Sequence, residues 1–227
     1  MKPENIKIPI NDLNLAVSAV LTRPEDSNAM IIMAHGAGAG KNHMFMESIA
    51  NLLFERKLAV LRFNFPYMDE GKKRPDTKKK TVNVIEGVIR YAASTYKHPL
   101  FAGGKSFGGR MTSWAIAQSP DLPVHGLIYW GFPLHAPGNP SDDRADHLKS
   151  IHIPMLFLQG TRDILASPDL LISLIKEIAQ ASLFMEEGAD HSFHVLKRSG
   201  RTDNEVLTEI SDKVAEWISK ELQVRSR

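Results

Sequence analysis

Residues 103–109 read GGKSFGG, a stretch that matches motifs of two different folds. Its Gly-Lys-Ser matches the end of a phosphate-binding loop, G-x-x-x-x-G-K-[ST], in which the serine hydroxyl binds Mg²⁺. Residues 104–108 also match G-x-S-x-G, a sharp turn between a strand and a helix that exposes a nucleophilic serine. The two interpretations assign different chemistry to Ser106, and the residues around the stretch distinguish them.

The flanking residues favour the turn between a strand and a helix. A phosphate-binding loop needs its first glycine at position 99, where the chain has Pro99, and its strand would be the polar segment 94–98. Instead, the apolar segment 99–102 runs directly into the motif, and residues 107–118 have a helical composition. The glycines of the motif then permit a tight turn that a side chain would obstruct. We therefore predict that Ser106 is a nucleophile.

Apolar patterning along the rest of the chain alternates between strands and helices. The first two strands predict an antiparallel hairpin, and the strand–helix alternation after it predicts an α/β fold. This is a mostly parallel, doubly wound sheet with helices on both faces, whose sites lie at the carboxyl ends of the strands. No repeat or linker divides the chain, so we predict a single domain over residues 1–227. The predicted strands are 6–8, 15–20, 30–34, 58–63, 99–103, 124–130, 154–158 and 182–185. The predicted helices are 43–56, 80–96, 107–118, 168–180 and 205–222.

Composition narrows the function classes. The chain has 227 residues, of which 43% are hydrophobic and 24% charged, with a net charge of +2 and no cysteine. The absence of cysteine excludes disulfides, thiolate nucleophiles and Cys-based zinc sites. The small net charge does not favour nucleic-acid or membrane binding, and no signal peptide or membrane span is recognisable. We expect a cytoplasmic protein with no metal or cofactor; its oligomeric state is unknown.

A second glycine-rich stretch, residues 35–41 (HGAGAGK), follows the first parallel strand. It is not a phosphate-binding loop, because position 42 is asparagine, and its glycines do not have the G-x-G-x-x-G spacing of a dinucleotide site. A loop at this place in the fold can supply a backbone N–H to an oxyanion hole. We predict Ala37 as this donor, with Gly38 as the alternative. The second donor is the N–H of Phe107, directly after the nucleophile.

A serine nucleophile needs a base and an acid, and the chain order expected here is serine, acid, histidine. Of the six histidines after Ser106, His191 directly follows the last predicted strand. His194 is the alternative base. Asp163 directly follows the strand before that one, in the stretch GTRD. We therefore predict a triad of Ser106, Asp163 and His191.

Together, these motifs resemble the α/β-hydrolase superfamily over essentially the whole chain. More narrowly, the sequence is similar to the small, lidless branch near dienelactone hydrolases and to bacterial relatives of the testis-expressed α/β-hydrolase-like proteins. The resemblance implies an α/β-hydrolase fold and a triad at 106, 163 and 191. Dienelactone hydrolases proper use a cysteine nucleophile, which this chain lacks. The motifs that carry the resemblance are His35–Gly38, Phe65–Met68, Gly104–Ser106, Gly108–Arg110, Gly160–Asp163 and Gly188–Phe193.

Several segments near the predicted site bear on which substrates can reach it. Only 23 residues, 131–153, separate two predicted strands, so we predict minimal or no lid and an irregular rim over 132–147. The segment 72–80 has six basic residues in nine; it is either a solvated loop or a rim that attracts anionic substrates. The candidate substrate-binding residues are His35, Tyr67, Met68, Lys105 and Trp130.

These observations predict a serine hydrolase that acts on a small-molecule carboxylic ester, thioester or amide through an acyl-enzyme. Two other functions remain open. The chain is alternatively a non-catalytic scaffold built on a hydrolase fold, or an acyltransferase in which another nucleophile replaces water. The sequence does not separate these three.

Overall fold

An eight-stranded sheet runs through the molecule in the computed structural model, which describes residues 3–225. The strand order is β1-β2-β4-β3-β5-β6-β7-β8. Strand β2 pairs antiparallel with β1 and with β4. The remaining strands, β3 to β8, are all parallel to one another. The strands are β1 (Glu4–Ile10), β2 (Leu15–Thr22), β3 (Ala29–Ala34), β4 (Leu58–Phe63), β5 (Leu100–Lys105), β6 (Gly126–Trp130), β7 (Met155–Gly160) and β8 (Ala181–Glu186).

Helices cover both faces of this sheet. Residues 3–225 also include three 3-10 segments, at Asn11–Leu13, Asp143–Ser150 and Lys197–Ser199. The helices are α1 (Met44–Glu55), α2 (Pro66–Asp69), α3 (Lys78–Thr95), α4 (Phe107–Gln118), α5 (Pro168–Lys176) and α6 (Asp203–Arg225).

The residues of β3 show how one strand serves two cores. All six are buried, and because successive side chains of a strand point to opposite faces, they divide between two clusters. Met30 and Ile32 pack into the core that contains residues of α3, α4 and α5. Ile31 and Met33 pack into the core beneath α1 and α6. The predicted doubly wound, mostly parallel sheet is confirmed.

Some predicted element ends differ from those observed, and one helix was missed. The sixth strand begins at Gly126 rather than at residue 124, and α5 ends at Lys176 rather than at 180. Helix α2 spans only four residues, which is too short for a helical repeat of apolar residues to be visible. These differences do not change the topology.

The segment between β6 and β7 forms no lid. Five of its side chains are buried in the main core: Phe132, Leu134, Ala145, Leu148 and Ile151. The segment therefore packs down against α4 and the sheet rather than extending over the strand ends. None of the helices within residues 3–225 has the length and hydropathy needed to cross a membrane.

Candidate active site

Ser106 lies in a sharp turn between β5 and α4. Its backbone has φ 52° and ψ −116°, a conformation that costs a non-glycine residue free energy. Two backbone hydrogen bonds hold this conformation. The Ser106 N–H donates to the Trp130 carbonyl at 3.1 Å, and the Arg110 N–H donates to the Ser106 carbonyl at 3.1 Å. The turn presents the serine at the carboxyl edge of the sheet.

Two glycines allow the turn to pack against the neighbouring strand. A Cβ on Gly104 would lie 2.2 Å from the Ala34 carbonyl oxygen, and a Cβ on Gly108 would lie 2.4 Å from the same atom. Both distances are far inside van der Waals contact, so either side chain would push the turn away from the end of β3. Glycine at these positions therefore keeps Ser106 beside the loop that begins at His35.

The three predicted triad side chains meet although they are far apart in sequence. The His191 Nε2 lies 2.8 Å from Ser106 Oγ, and the His191 Nδ1 lies 2.6 Å from Asp163 Oδ2. A carboxylate only accepts hydrogen bonds, so the histidine carries its proton on Nδ1 and its Nε2 accepts the serine proton. This geometry allows His191 to act as a general base toward Ser106.

Asp163 is buried, and both of its carboxylate oxygens accept hydrogen bonds. Oδ1 accepts from the Leu165 N–H at 2.8 Å, and Oδ2 accepts from both His191 and the Gln159 amide. The Gln159 Oε1 in turn accepts from the Phe132 N–H at 2.9 Å. Sequence analysis missed Gln159. Its signal was a polar residue within the otherwise apolar strand β7, where burial demands a partner.

His194, the alternative base, has a different partner. Its Nδ1 lies 2.9 Å from Asp203 Oδ2, and this pair is half exposed at the start of α6. The structure thus brings His191, and not His194, to the serine.

The oxyanion-hole candidates lie in the first turn of α4 and in the loop after β3. The Phe107 N–H is in the first turn of α4, where a helix offers it no acceptor. The Ala37 N–H has no hydrogen-bond partner within residues 3–225. The Gly38 N–H, by contrast, donates to the Tyr67 hydroxyl at 2.9 Å. The alternative prediction of Gly38 as the donor is therefore corrected, because that N–H is already used.

His35 is buried beneath this loop rather than in contact with a substrate site. Its Nδ1 donates to the Gly36 carbonyl at 2.7 Å, and its Nε2 accepts from the Phe65 N–H at 3.1 Å. The Gly36 carbonyl and the Ala37 N–H belong to one planar peptide group, so the first bond fixes the direction of that N–H. His35 is a positioning residue, which corrects its predicted role in substrate binding.

Two buried histidines make the fold sensitive to acid. Burial lowers the pKa of His35 to about 4. Burial, with repulsion from Lys78 and Arg110, lowers the pKa of His147 to about 4 as well. The unfolded chain takes up these protons near pH 6.5, before the folded chain does, so the free energy of unfolding falls as the pH decreases from about 6.5 to 4.

We expect each of these two histidines to lower the free energy of unfolding by about 2 kcal/mol when the pH is decreased from 7.5 to 5. Urea unfolding at the two pH values measures this. The variant His147→Gln should lose less stability on acidification than the wild type, whereas His152→Gln, at an exposed site, should not differ from it. If His147→Gln and the wild type lost the same stability on acidification, His147 would not be a source of the acid sensitivity.

A cleft of about 750 Å³ opens beside Ser106 and His191. Its walls come from the loop after β3, the first turns of α1, the loop that carries His191 and the start of α6. Lys105, one of the predicted substrate-binding residues, is among the residues that line it. Neither the segment 132–147 nor the basic segment 72–80 lines this cleft. The predicted rim over 132–147 is therefore wrong, whereas the mostly exposed basic segment, which runs into α3, fits the solvated-loop alternative.

The other predicted substrate-binding residues lie away from this cleft. Tyr67 and Trp130 have no exposed surface, and Met68 packs against the core. Aromatic residues near strand ends are typical of both cores and pockets, and here the core interpretation is correct. Tyr67 still contributes indirectly, because its hydroxyl holds the Gly38 N–H. No cluster of three or more His, Cys, Asp or Glu side chains suited to a metal ion occurs in residues 3–225.

Comparison with known structures shows the same fold in several proteins. Est1E from Butyrivibrio proteoclasticus with bound ferulic acid has a TM-score of 0.77 at 17% identity, over 96% of this chain and 99% of that one. A dienelactone hydrolase from Anabaena variabilis has a TM-score of 0.73 at 17% identity, over 97% and 99%. An α/β serine hydrolase without a lid from Xanthomonas campestris, XC6422, has a TM-score of 0.73 at 17% identity, over 96% and 95%.

The sequence also matches a family model directly. Residues 27–219 match the family described as alpha/beta hydrolase domain, which is most of the chain. The matched region begins just before β3 and includes Ser106, Asp163 and His191. The chain therefore belongs to the alpha/beta hydrolase domain family.

Proposed function

We propose that this protein is a serine hydrolase that cleaves a carboxylic ester through an acyl-enzyme on Ser106. The observation that carries the proposal is the unbroken line of hydrogen bonds from Asp163 through His191 to Ser106, with distances of 2.6 and 2.8 Å. Such a line supplies a nucleophile, a base and an orienting acid within direct reach of one another.

The proposed reaction begins with proton transfer from Ser106 Oγ to His191 Nε2 as Oγ attacks the ester carbonyl carbon. The carbonyl oxygen becomes an oxyanion, which accepts hydrogen bonds from the Ala37 and Phe107 N–H groups. Asp163 stabilises the imidazolium through the His191 Nδ1–H. The bond to the alcohol breaks, and the alcohol leaves with the proton from Nε2. Water, deprotonated by the same Nε2, then cleaves the acyl-enzyme and restores Ser106.

Two observations support an ester of a small molecule. An alcohol leaving group needs less assistance than an amine, and the proton it needs can come from His191 Nε2, which lies 2.8 Å from Ser106 Oγ. The cleft of about 750 Å³ falls within the usual size range of small-molecule sites. Some structural neighbours are named esterases, including a domain from Rhodothermus marinus and a protein from Pyrococcus furiosus, which is in keeping with this choice.

A panel of 4-nitrophenyl esters from acetate to octanoate tests the proposal. We expect saturable hydrolysis that is lost after treatment with a fluorophosphonate, and a plateau of 4-nitrophenol only when substrate is exhausted. A folded protein that hydrolyses none of these esters and binds no fluorophosphonate would instead favour the scaffold alternative. Ester consumption that depends on an added alcohol or amine would indicate acyl transfer.

A further inference from the structure

Lys105 is placed at the site but has no part in the reaction just described. It is the last residue of β5, directly before Ser106, and it lines the same cleft. Its Nζ donates a hydrogen bond to the backbone carbonyl of His191. The Phe45 and Phe193 rings stack on each other with centroids 5.8 Å apart, and both lie beside the ammonium, with centroids 5.6 and 5.4 Å from Nζ. Cation–π attraction to this pair of rings helps hold the ammonium at this position.

The positive charge of Lys105 has no counter-ion in the described part of the chain. Its attraction to Asp163 and Asp190 acts over distances longer than an ion pair. Burial lowers the pKa of the Lys105 ammonium to about 8, and those two carboxylates limit the decrease. At neutral pH the group therefore remains mostly protonated. A partly buried cation without a counter-ion is costly, so an anion that enters the cleft gains attraction.

The other charged side chains of the cleft do not supply this counter-ion. Asp203 is the one carboxylate among the lining residues within 3–225, and it already accepts from His194 at 2.9 Å and from the Val195 N–H at 3.0 Å. An ammonium has three N–H donors, and the Lys105 bond to the His191 carbonyl uses one of them. Two donors remain for a ligand.

We propose that Lys105 forms a subsite for a carboxylate of the substrate, so that the preferred substrates are esters that also carry a free carboxylate. The proposal rests on the esterase function above and specifies its substrate class. Because Lys105 adjoins Ser106 in the chain and lines the same cleft, one small molecule can reach both. The carboxylate lies on either the acyl side or the alcohol side of the ester, and matched substrate pairs distinguish the two.

The main competing role for Lys105 is mechanical. Its bond to the His191 carbonyl also braces the loop that carries the base. Loss of a brace would lower the hydrolysis of all esters by a similar factor, whereas loss of a carboxylate subsite would affect only the charged member of each pair. The ratio of kcat/KM values within a pair therefore separates the roles.

The experiment measures kcat/KM for two pairs of esters. On the acyl side, mono-4-nitrophenyl glutarate is compared with 4-nitrophenyl hexanoate. On the alcohol side, 4-carboxyphenyl butyrate is compared with 4-carbamoylphenyl butyrate. We expect the wild type to prefer the charged member of at least one pair by about 10- to 100-fold, as for a hydrogen bond to a charged group. The variant Lys105→Met should abolish that preference, and Lys105→Arg should retain most of it.

Two controls make the result specific. Lys73→Met removes a charge from an exposed residue that does not line the cleft, and we expect it to keep the wild-type ratio. Calorimetric binding of mono-4-nitrophenyl glutarate to Ser106→Ala measures the subsite without turnover. We expect binding at least tenfold tighter than that of the hexanoate ester, and equal binding of both to the Ser106→Ala/Lys105→Met double variant.

A wild type that shows no preference for the charged ester in either pair would overturn the proposal, whether or not the variants fold. A preference that survives in Lys105→Met would also overturn it. Charge-selective binding to Ser106→Ala without any wild-type turnover would refute the esterase function and leave the carboxylate subsite in place. Turnover without charge selectivity would support the esterase function and refute the carboxylate subsite.

Discussion

Replacing Ser106 with alanine should lower kcat for 4-nitrophenyl ester hydrolysis by about 10⁴- to 10⁶-fold, as the loss of a serine nucleophile does in comparable triads. The hydroxyl oxygen is the only non-hydrogen atom removed, and it is the atom that lies 2.8 Å from His191 Nε2. Residual hydrolysis would come from the oxyanion donors and substrate binding alone. Steady-state kinetics on the short-chain esters measures the loss.

This substitution should not disturb the fold. The turn at residue 106 is held by the backbone hydrogen bonds to Trp130 and Arg110, and alanine retains both. We therefore expect a thermal midpoint close to that of the wild type. The matched control is Ser94→Ala, at an exposed position of α3, which should retain wild-type kcat. A folded Ser106→Ala protein with more than a tenth of the wild-type kcat would contradict the role of Ser106.

Changing Asp163 to asparagine should lower kcat by about 10³- to 10⁴-fold. In this protein the reason is the set of donors around the carboxylate. Oδ1 accepts from the Leu165 N–H, which requires the asparagine oxygen on that side. The new NH₂ then faces His191 Nδ1 and the Gln159 amide, which both donate in the wild type. To accept a hydrogen bond from this NH₂, His191 Nδ1 must lose its proton, which moves to Nε2. With a proton on Nε2, the imidazole can no longer act as a base toward Ser106.

The control for this change is Asp190→Asn, in the loop next to the base. The Asp190 Oδ1 accepts from the Ser192 and His194 N–H groups at 2.8 and 3.0 Å, and an asparagine oxygen can accept the same bonds. We expect less than a tenfold change in kcat. If Asp163→Asn lost no more activity than Asp190→Asn, Asp163 would not be the residue that orients His191.

The sequence predicted the positions that depend on topology. Apolar runs showed where the strands end, and parallel strands place their carboxyl ends at one edge of the sheet. Ser106, Asp163 and His191 follow β5, β7 and β8, and the structure brings their side chains within hydrogen-bonding distance. The glycines on each side of Ser106 were similarly interpretable, because the G-x-S-x-G motif marks a tight turn that leaves no room for side chains at these positions. The structure identifies the obstructing neighbour as the Ala34 carbonyl.

The predictions that failed depend on packing between distant residues. Whether Trp130 faces a cleft or a core depends on which helix covers its strand, and the residue pattern of β6 does not carry that information. The engagement of the Gly38 N–H depends on the hydroxyl of Tyr67, which is 29 positions away in the sequence. The role of Gln159 required the position of Asp163 to be known first.

Labelling with a fluorophosphonate probe tests the central claim most directly, because the probe reacts with a serine only where a base and an oxyanion hole activate it. Intact-mass analysis and peptide mapping identify the site and the number of adducts. We predict one adduct per chain, on Ser106, and none on Ser106→Ala. An unlabelled wild type that is folded, or labelling that persists in Ser106→Ala, would contradict the claim that Ser106 is an activated nucleophile.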